Sequence, residues 1–174
     1  MREKNRAEFV TKYSKALIIV ALVTVTGAVY WPARNYDFAL VDDHGYVSQN
    51  PIVQSGLSWE NVKWAFTTTA MANWHPLTWL SYMMDFQLFG LSPGAFHTVN
   101  VVLHILSSVV LFLVFEGLTK RRWESAFVAA LFALHPLHVE SVCWISERKD
   151  ILSTLLMWLT LGAYGRYVQN ARWT

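Results

Sequence analysis

The sequence contains few charged residues and only one cysteine. Asp, Glu, Lys and Arg make up 15% of its 174 residues, whereas 54% of the residues are hydrophobic. A soluble domain of this size would have to hide an unusual amount of apolar surface, so the composition favours a membrane protein. The lone cysteine, Cys143, allows no internal disulfide, and we interpret it as structural.

Common catalytic signatures are also missing. The chain has no Gly-rich nucleotide loop, no Cys-x-x-Cys pair and no Ser-centred nucleophile elbow. It has no low-complexity tract and no internal repeat. Nucleotide hydrolysis, dithiol chemistry and serine esterase chemistry therefore receive no support, and we expect no nucleic-acid partner.

What the sequence does contain is a set of charge-free apolar runs. The bilayer core requires roughly 20 apolar residues per helix. The runs at 16–33 and 96–118 meet this requirement, and those at 125–138 and 151–165 are short but can be tilted or flanked by snorkelling residues. The sequence therefore predicts an all-α polytopic membrane protein with about four transmembrane helices. For the first run, a secretory signal peptide is the alternative.

The distribution of Lys and Arg predicts the orientation. Ten of the 14 basic residues fall on one side of the predicted spans, and the positive-inside rule places that side, with both termini, in the cytoplasm. We therefore expect a multi-pass protein of a bacterial inner membrane or the endoplasmic reticulum. The predicted order is a cytoplasmic segment 1–15, a first span 16–33, an outer loop 34–95, a second span 96–118, a cytoplasmic loop 119–124, a third span 125–138, an outer loop 139–150, a fourth span 151–165 and a cytoplasmic tail 166–174.

The first outer loop is long and rich in aromatic residues, unlike a solvated linker. Ser58 is a candidate N-cap for a short amphipathic helix, and 76–88 has a second helical pattern with Leu77, Leu80, Met84 and Leu88 on one side. Short helices rich in Trp and Leu usually lie in the membrane interface. The alternative is that they pack on one another as a small external cap.

Asp42 and Asp43 form an adjacent acidic pair in this loop. Adjacent carboxylates repel each other when both are ionised, so such a pair close to a membrane implies a cation, a hydrogen-bond network or a raised pKa. Each of these suits a general base or a metal site. Taken alone, the pair also fits a solvated turn before Gly45.

Polar residues line one face of the second predicted span. His97, Asn100 and His104 recur at steps of three and four, followed by Ser107 and Ser108. In hydrocarbon such side chains turn toward other helices or toward a water-filled cavity. The sequence leaves both interpretations open.

Two groups of polar residues follow the third predicted span. His135, His138 and Glu140 do not have the His-Glu-x-x-His spacing of zinc proteases, so a zinc site is disfavoured. The second group lies where a lipid phosphate would be, and Arg is suited to binding phosphate oxygens. Its alternative is an interfacial charge cluster at the start of the fourth span. This group is Glu147, Arg148, Lys149 and Asp150.

Four motifs, in order along the chain, resemble the membrane portion of the transmembrane and tetratricopeptide repeat-containing proteins. That family resembles in turn the polytopic glycosyltransferases, including protein O-mannosyltransferases, that use a polyprenyl-phosphate sugar. The motifs are Val41-Asp-Asp-His-Gly-Tyr-Val-Ser-Gln-Asn-Pro, Asn73-Trp-His-Pro-Leu-Thr-Trp-Leu-Ser-Tyr-Met-Met-Asp, Phe96-His-Thr-Val-Asn-Val-Val-Leu-His and Ala133-Leu-His-Pro-Leu-His-Val-Glu-Ser-Val-Cys-Trp-Ile-Ser-Glu-Arg-Lys-Asp.

The resemblance implies a transferase on the outer membrane face, with a polyprenyl-phosphate-linked sugar such as mannose as donor and a protein hydroxyl as acceptor. It assigns a catalytic base or a divalent-metal ligand to Asp42 and Asp43. The resemblance also implies substrate-binding residues in the second outer loop, which correspond to the family by their loop and not by a shared motif. The basic members of this second group would face the lipid phosphate. That group is Glu140, Glu147, Arg148, Lys149 and Asp150.

The chain differs from the family in its extent. Family members continue through further spans into helical repeats, whereas four spans are predicted here. We interpret the chain as an N-terminal fragment or a truncated product and expect it to be inactive alone. The alternative function is a non-catalytic membrane anchor or assembly partner.

Overall fold

The computed structural model describes residues 2–170, and it places side chains for residues 13–170. All regular structure in this range is helical, which confirms the predicted all-α class. Short 3₁₀ or π turns at Trp31–Asn35, His44–Ser48, Ala70–Ala72 and Ile145–Glu147 connect the helices. The α-helices are α1 (Arg2–Tyr30), α2 (Pro51–Gln54), α3 (Trp59–Thr67), α4 (Pro76–Phe89), α5 (Pro93–Thr119), α6 (Arg122–Leu134), α7 (His138–Cys143) and α8 (Arg148–Asn170).

Two of the described helical segments are long and apolar enough to cross a membrane, Tyr13–Asn35 and Pro93–Thr119. They contain the first two predicted spans. Helix α6 ends at Leu134, four residues before the predicted end of the third span, because Pro136 keeps the preceding His135 in an extended conformation. At 13 residues α6 is only about 20 Å long. The third and fourth spans therefore stay predictions.

The long helices pack around α5, which contacts α1, α6 and α8. Small Ala side chains on α6 allow it to approach the aliphatic residues of α1 and α5 closely. The outward faces remain apolar, with Leu17 60% exposed and Phe127 64% exposed, as expected for helices surrounded by lipid or by further helices. The buried residues of this core are Ile18, Leu22, Leu111, Phe112, Ala129 and Ala133.

Charged side chains tie three of these helices together at the predicted cytoplasmic end. The Glu116 carboxylate on α5 lies 2.8 Å from Lys15 Nζ on α1 and 2.6 Å from Arg122 Nε on α6. Arg122 also donates to Ser14 Oγ. The basic side chains before residue 13, and Arg172, lie outside the described residues.

The long first loop folds into a cap over the N-terminal end of α5. Helix α3 begins after Ser58, whose hydroxyl accepts a hydrogen bond from the Asn61 N–H at 3.1 Å. Helix α4 buries Trp79 and Tyr82 completely and leaves Leu88 65% exposed. The two helices thus share an internal core, as the cap interpretation requires. Leu77, Met84 and Leu88 of the predicted apolar stripe are exposed, whereas Leu80 packs against the cap core. The location of α4 in the membrane interface stays a prediction.

The polar face of α5 makes hydrogen bonds to neighbouring segments. Asn100 Nδ2 donates to the Trp144 carbonyl at 3.1 Å, and His104 Nε2 lies 3.0 Å from the Ala133 carbonyl. Ser108 Oγ donates to the His104 carbonyl within α5. These contacts favour the hydrogen-bonding interpretation for most of the stripe, whereas the Ser107 hydroxyl has no hydrogen-bond partner among the described residues.

Candidate active site between the two outer loops

The Asp43 carboxylate connects the two predicted outer loops. Its side chain is fully buried. Oδ2 accepts the Ala39 N–H at 2.8 Å, and Oδ1 accepts the Ser146 N–H at 2.9 Å. Because Ser146 lies 103 residues further along the chain, this carboxylate joins the acidic-pair motif to the segment that contains the basic pair.

Asp42 differs from its neighbour. Its side chain is partly exposed, and among the described residues its carboxylate has no hydrogen-bond or ion-pair partner. Its backbone carbonyl accepts the Tyr46 N–H at 2.9 Å, which begins the turn at His44–Ser48. Of the two acidic residues, Asp42 is therefore the one whose carboxylate can reach a substrate.

Arg148 is completely buried beneath this region. Its Nη1 forms an ion pair with Asp85 on α4, and its Nε donates to Asn100 Oδ1 at 2.7 Å. Nη2 donates to the Phe96 carbonyl at 2.9 Å, and Nη1 also lies 3.3 Å from Ser81 Oγ. Four of the five guanidinium N–H groups thus have protein partners.

Tyr82 completes the environment of this guanidinium. The Arg148 Cζ lies 4.7 Å from the centre of the Tyr82 ring, a cation–π distance. The Tyr82 hydroxyl donates to the Ile145 carbonyl at 2.7 Å, and burial raises the pKa of Tyr82, which keeps the hydroxyl protonated as a donor. Arg148 therefore fixes the position of the 145–148 segment, and its predicted contact with a lipid phosphate stays a prediction that the geometry does not favour.

Lys149 is less enclosed than Arg148 and contacts the segment that binds Asp43. Its Nζ lies 2.7 Å from Glu147 Oε1 and 3.3 Å from the Ser146 carbonyl, and its side chain is 28% exposed. Since Ser146 also binds Asp43, one short segment places the ammonium group of Lys149 and the Asp43 carboxylate in the same region.

The two remaining predicted acidic residues have different surroundings. Glu140 is exposed on α7, and its side chain has no hydrogen-bond or ion-pair partner among the described residues. Asp150 lies on α8 and lines a separate cavity. Burial raises the pKa of Asp150, and the neighbouring Glu147 raises it further.

An aromatic stack next to Lys149 was not predicted from the sequence. The rings of Tyr46 and His75 are stacked at 5.5 Å, and Trp79 lies 5.1 Å from each of them. Lys149 Nζ lies 5.9 Å from the centre of the Tyr46 ring. Burial lowers the pKa of His75, and the Lys149 cation lowers it further, so the imidazole is neutral at neutral pH.

Several polar atoms in this neighbourhood have no hydrogen-bond partner among the described residues. They include His75 Nε2, Trp79 Nε1 and Ser146 Oγ, all of them buried. Unpartnered buried polar atoms are unusual in native proteins. Together with the Lys149 ammonium group, which contacts Ser146 and the Tyr46 ring, they can offer donors and acceptors to a ligand.

The residues present do not favour a metal centre. No group of three or more His, Cys, Asp or Glu side chains within the described range could hold a metal ion. Both oxygens of Asp43 already accept backbone N–H groups, which leaves Asp42 as the carboxylate of the pair free for a cation. The divalent-metal site at Asp42 and Asp43 stays a prediction.

Known proteins similar to this chain were found by sequence. The mouse protein O-mannosyl-transferase TMTC1 is 37% identical over 137 residues, which cover 72% of this chain and 14% of that relative. The human protein O-mannosyl-transferase TMTC4 is 32% identical over 165 residues, covering 82% and 22% respectively. The Drosophila melanogaster protein O-mannosyl-transferase Tmtc2 is 27% identical over 178 residues, covering 98% and 18%.

No protein-family model and no solved structure matches the chain. The chain spans only about an eighth to a fifth of the length of the curated relatives it matches. Together with the two apolar helices, these relatives indicate a membrane protein. These relatives confirm the family that the four motifs predicted: the chain belongs to the transmembrane and tetratricopeptide repeat-containing family of protein O-mannosyl-transferases and matches part of their length.

Proposed function

We propose that this chain forms the outer-face part of a transferase that moves a sugar, mannose by analogy with its relatives, from a polyprenyl phosphate to a protein hydroxyl. The names of the relatives support a sugar donor and a protein acceptor. The single observation that carries the proposal is the Asp43 to Ser146 hydrogen bond, because it joins the acidic pair to the basic segment.

In the proposed reaction Asp42 acts as the general base. The acceptor hydroxyl oxygen attacks C1 of the sugar, and the bond between C1 and the phosphate oxygen breaks. Polyprenyl phosphate leaves with the bonding electrons, and the hydroxyl proton passes to the Asp42 carboxylate. Asp43 is a positioning residue, since its two oxygens bind backbone N–H groups on both sides of the site.

Lys149 is the proposed partner of the donor phosphate. Its ammonium group is partly exposed, whereas Arg148 is fully buried and bonded to the protein. A Lys ammonium group binds phosphate as a point charge and can leave Glu147 to do so. Arg148 then acts through the 145–148 segment, whose position it fixes. No step of the proposed reaction requires a metal ion.

The proposal requires the acidic pair to lie on the outer side of the membrane. Single cysteines introduced at exposed Ser55 and Glu124, in a Cys143→Ser background, test the orientation in intact cells. We expect an impermeant thiol reagent to label the residue-55 variant and not the residue-124 variant, because the basic residues predict opposite sides. Labelling of residue 124 alone would place the site on the wrong side.

Donor binding tests the function on the chain itself. Polyprenyl phosphate is titrated against the purified protein in detergent, against Lys149→Met and against Lys63→Met, which removes an exposed lysine of α3 as a matched control. Lys149→Met should weaken binding by about 1.5 to 3 kcal/mol, or about 10- to 150-fold, the usual contribution of a hydrogen bond to a charged group. Lys63→Met should have little effect.

An equal dissociation constant in wild type and Lys149→Met would remove the phosphate assignment. The absence of any binding by the wild-type chain would favour the alternative of a non-catalytic membrane anchor.

A further inference from the structure

A polar cavity lies among α5, α6, α7 and α8, and Asp43 is not among the residues that line it. Its volume is about 360 Å³, within the usual range of small-molecule sites, about 300 to 1,000 Å³. The lining includes imidazole, hydroxyl and carboxylate groups, notably His138, Ser107, Thr154 and Asp150. A cavity with this lining can make several directional hydrogen bonds to one ligand.

Ser107 provides an independent indication of a ligand. Its side chain is fully buried on α5, and its hydroxyl has no hydrogen-bond partner among the described residues. Its neighbour Ser108, equally buried, donates to the His104 carbonyl instead. A buried hydroxyl without a partner carries a free-energy penalty of about 1 to 3 kcal/mol, and a ligand in the cavity that Ser107 lines would remove this penalty.

The chemistry of the lining indicates which class of ligand would fit. None of the described residues that line the cavity is Lys or Arg, so a phosphate or another anion would find no counter-charge. Ser, Thr and His groups both donate and accept hydrogen bonds, as sugar hydroxyls do. The Phe132 ring, 4.6 Å from that of His138, offers an apolar face against which the C–H face of a pyranose can pack.

We propose that this cavity binds a single neutral sugar ring, with Ser107, His138 and Asp150 as hydrogen-bonding groups. The inference depends on the proposed function only for the choice of mannose as the probe. It is separate from the phosphate contact at Lys149, which is not among the residues that line the cavity.

Binding of methyl α-D-mannopyranoside to the purified chain in detergent tests this inference, with saturation-transfer NMR as the readout. Ser107→Ala should weaken binding by about 2- to 10-fold, the equivalent of one neutral hydrogen bond. The matched control is Thr26→Val, which removes a buried hydroxyl of α1 that likewise has no partner within the described range and does not line the cavity. This control should bind as wild type does, and both variants should be at least as stable as wild type, because each loses an unpartnered buried hydroxyl and neither loses a protein hydrogen bond.

Three results would overturn the inference. The first is the absence of saturation transfer with wild type at millimolar sugar, which would leave a cavity that holds only water. The second is equal weakening by Ser107→Ala and Thr26→Val. The third is much tighter binding of mannose 1-phosphate that depends on Lys149 and not on Ser107, which would place the sugar at the phosphate site. This test measures sugar binding and not mannosyl transfer to an acceptor. A negative binding result therefore leaves the proposed reaction standing, and a failure of the proposed reaction leaves the binding result intact.

Discussion

Replacing Arg148 by Met should destabilise the protein strongly. The side chain is fully buried, and its removal leaves Asp85, whose side chain is only 6% exposed, without its ion-pair partner. Breaking a buried ion pair by removing one partner costs about 3 to 5 kcal/mol. Asn100 Oδ1 and the Phe96 carbonyl lose a donor as well, so we expect a loss in the upper part of that range.

The loss should depend on pH. Burial raises the pKa of Asp85, and Arg148 partly offsets this by lowering it. Without Arg148 the pKa rises further, so the folded variant takes up a proton at a pH where the unfolded chain is still ionised. The variant should therefore lose more free energy at high pH than at low pH, where Asp85 is neutral in both states.

The assay is reversible unfolding in mixed detergent micelles, followed by circular dichroism. Lys149→Met is the control, because it removes a neighbouring but partly exposed cation whose ion pair contributes about 0 to 1 kcal/mol. The double variant Asp85→Leu/Arg148→Met should recover much of the loss, since apolar replacement of both partners of a buried pair is often neutral. An unfolding free energy of Arg148→Met within about 1 kcal/mol of wild type would refute the structural role of Arg148.

Two further predictions concern the cap. Gly94→Ala should lower the free energy of unfolding by about 1 to 3 kcal/mol, because a Cβ there would lie 2.5 Å from the Arg34 carbonyl oxygen. The control Gly117→Ala, on the same helix, meets nothing within 4 Å and should be neutral or stabilising. Equal free energies of unfolding for the two variants would contradict the close approach at Gly94. His75 should titrate in NMR spectra below its ordinary pKa of 6.5, and Lys149→Met should raise its pKa. Because the pKa of His75 is lower in the folded state than in the unfolded state, the free energy of unfolding should fall as the pH drops from 6.5 toward the folded-state pKa. Titration at or above 6.5 would contradict the burial of His75 beside Lys149.

Local patterns in the sequence predicted the local features of the fold. The N-cap role of Ser58 depends on a residue three positions away, and the two strongest spans depend on continuous apolar runs. The extended conformation at His135 follows from the next residue, Pro136, although the predicted third span continues beyond it to residue 138. In each case the physical cause lies within a few residues of its effect.

The partners within the site could not be predicted in this way. Arg148 pairs with Asp85, 63 residues earlier in the chain, and only the packing of α4 against α5 and α8 brings them together. The sequence suggested a lipid phosphate for Arg148 because the residue follows the third predicted span at the depth of a lipid head group and because Arg is suited to binding phosphate oxygens. Likewise, Asp42 and Asp43 are the same residue type, so the sequence cannot distinguish their roles. Only the fold shows that Asp43 is buried and hydrogen-bonded and that Asp42 is partly exposed.

The most direct test of the proposed reaction is transfer by a chimera that carries residues 13–170 of this chain in place of the matching segment of the mouse relative. Mannose transfer from polyprenyl-phosphate mannose to a Ser- and Thr-containing peptide is measured for wild type, Asp42→Asn and Asp37→Asn. The control residue Asp37 is an exposed acidic residue of the same loop, whose carboxylate bonds only to the adjacent Phe38 N–H among the described residues.

We predict that Asp42→Asn lowers the transfer rate by about 100-fold or more, as expected for loss of a general base, while Asp37→Asn transfers at the wild-type rate. An Asp42→Asn chimera as active as wild type, or a membrane-inserted wild-type chimera that transfers no mannose, would contradict the proposed reaction.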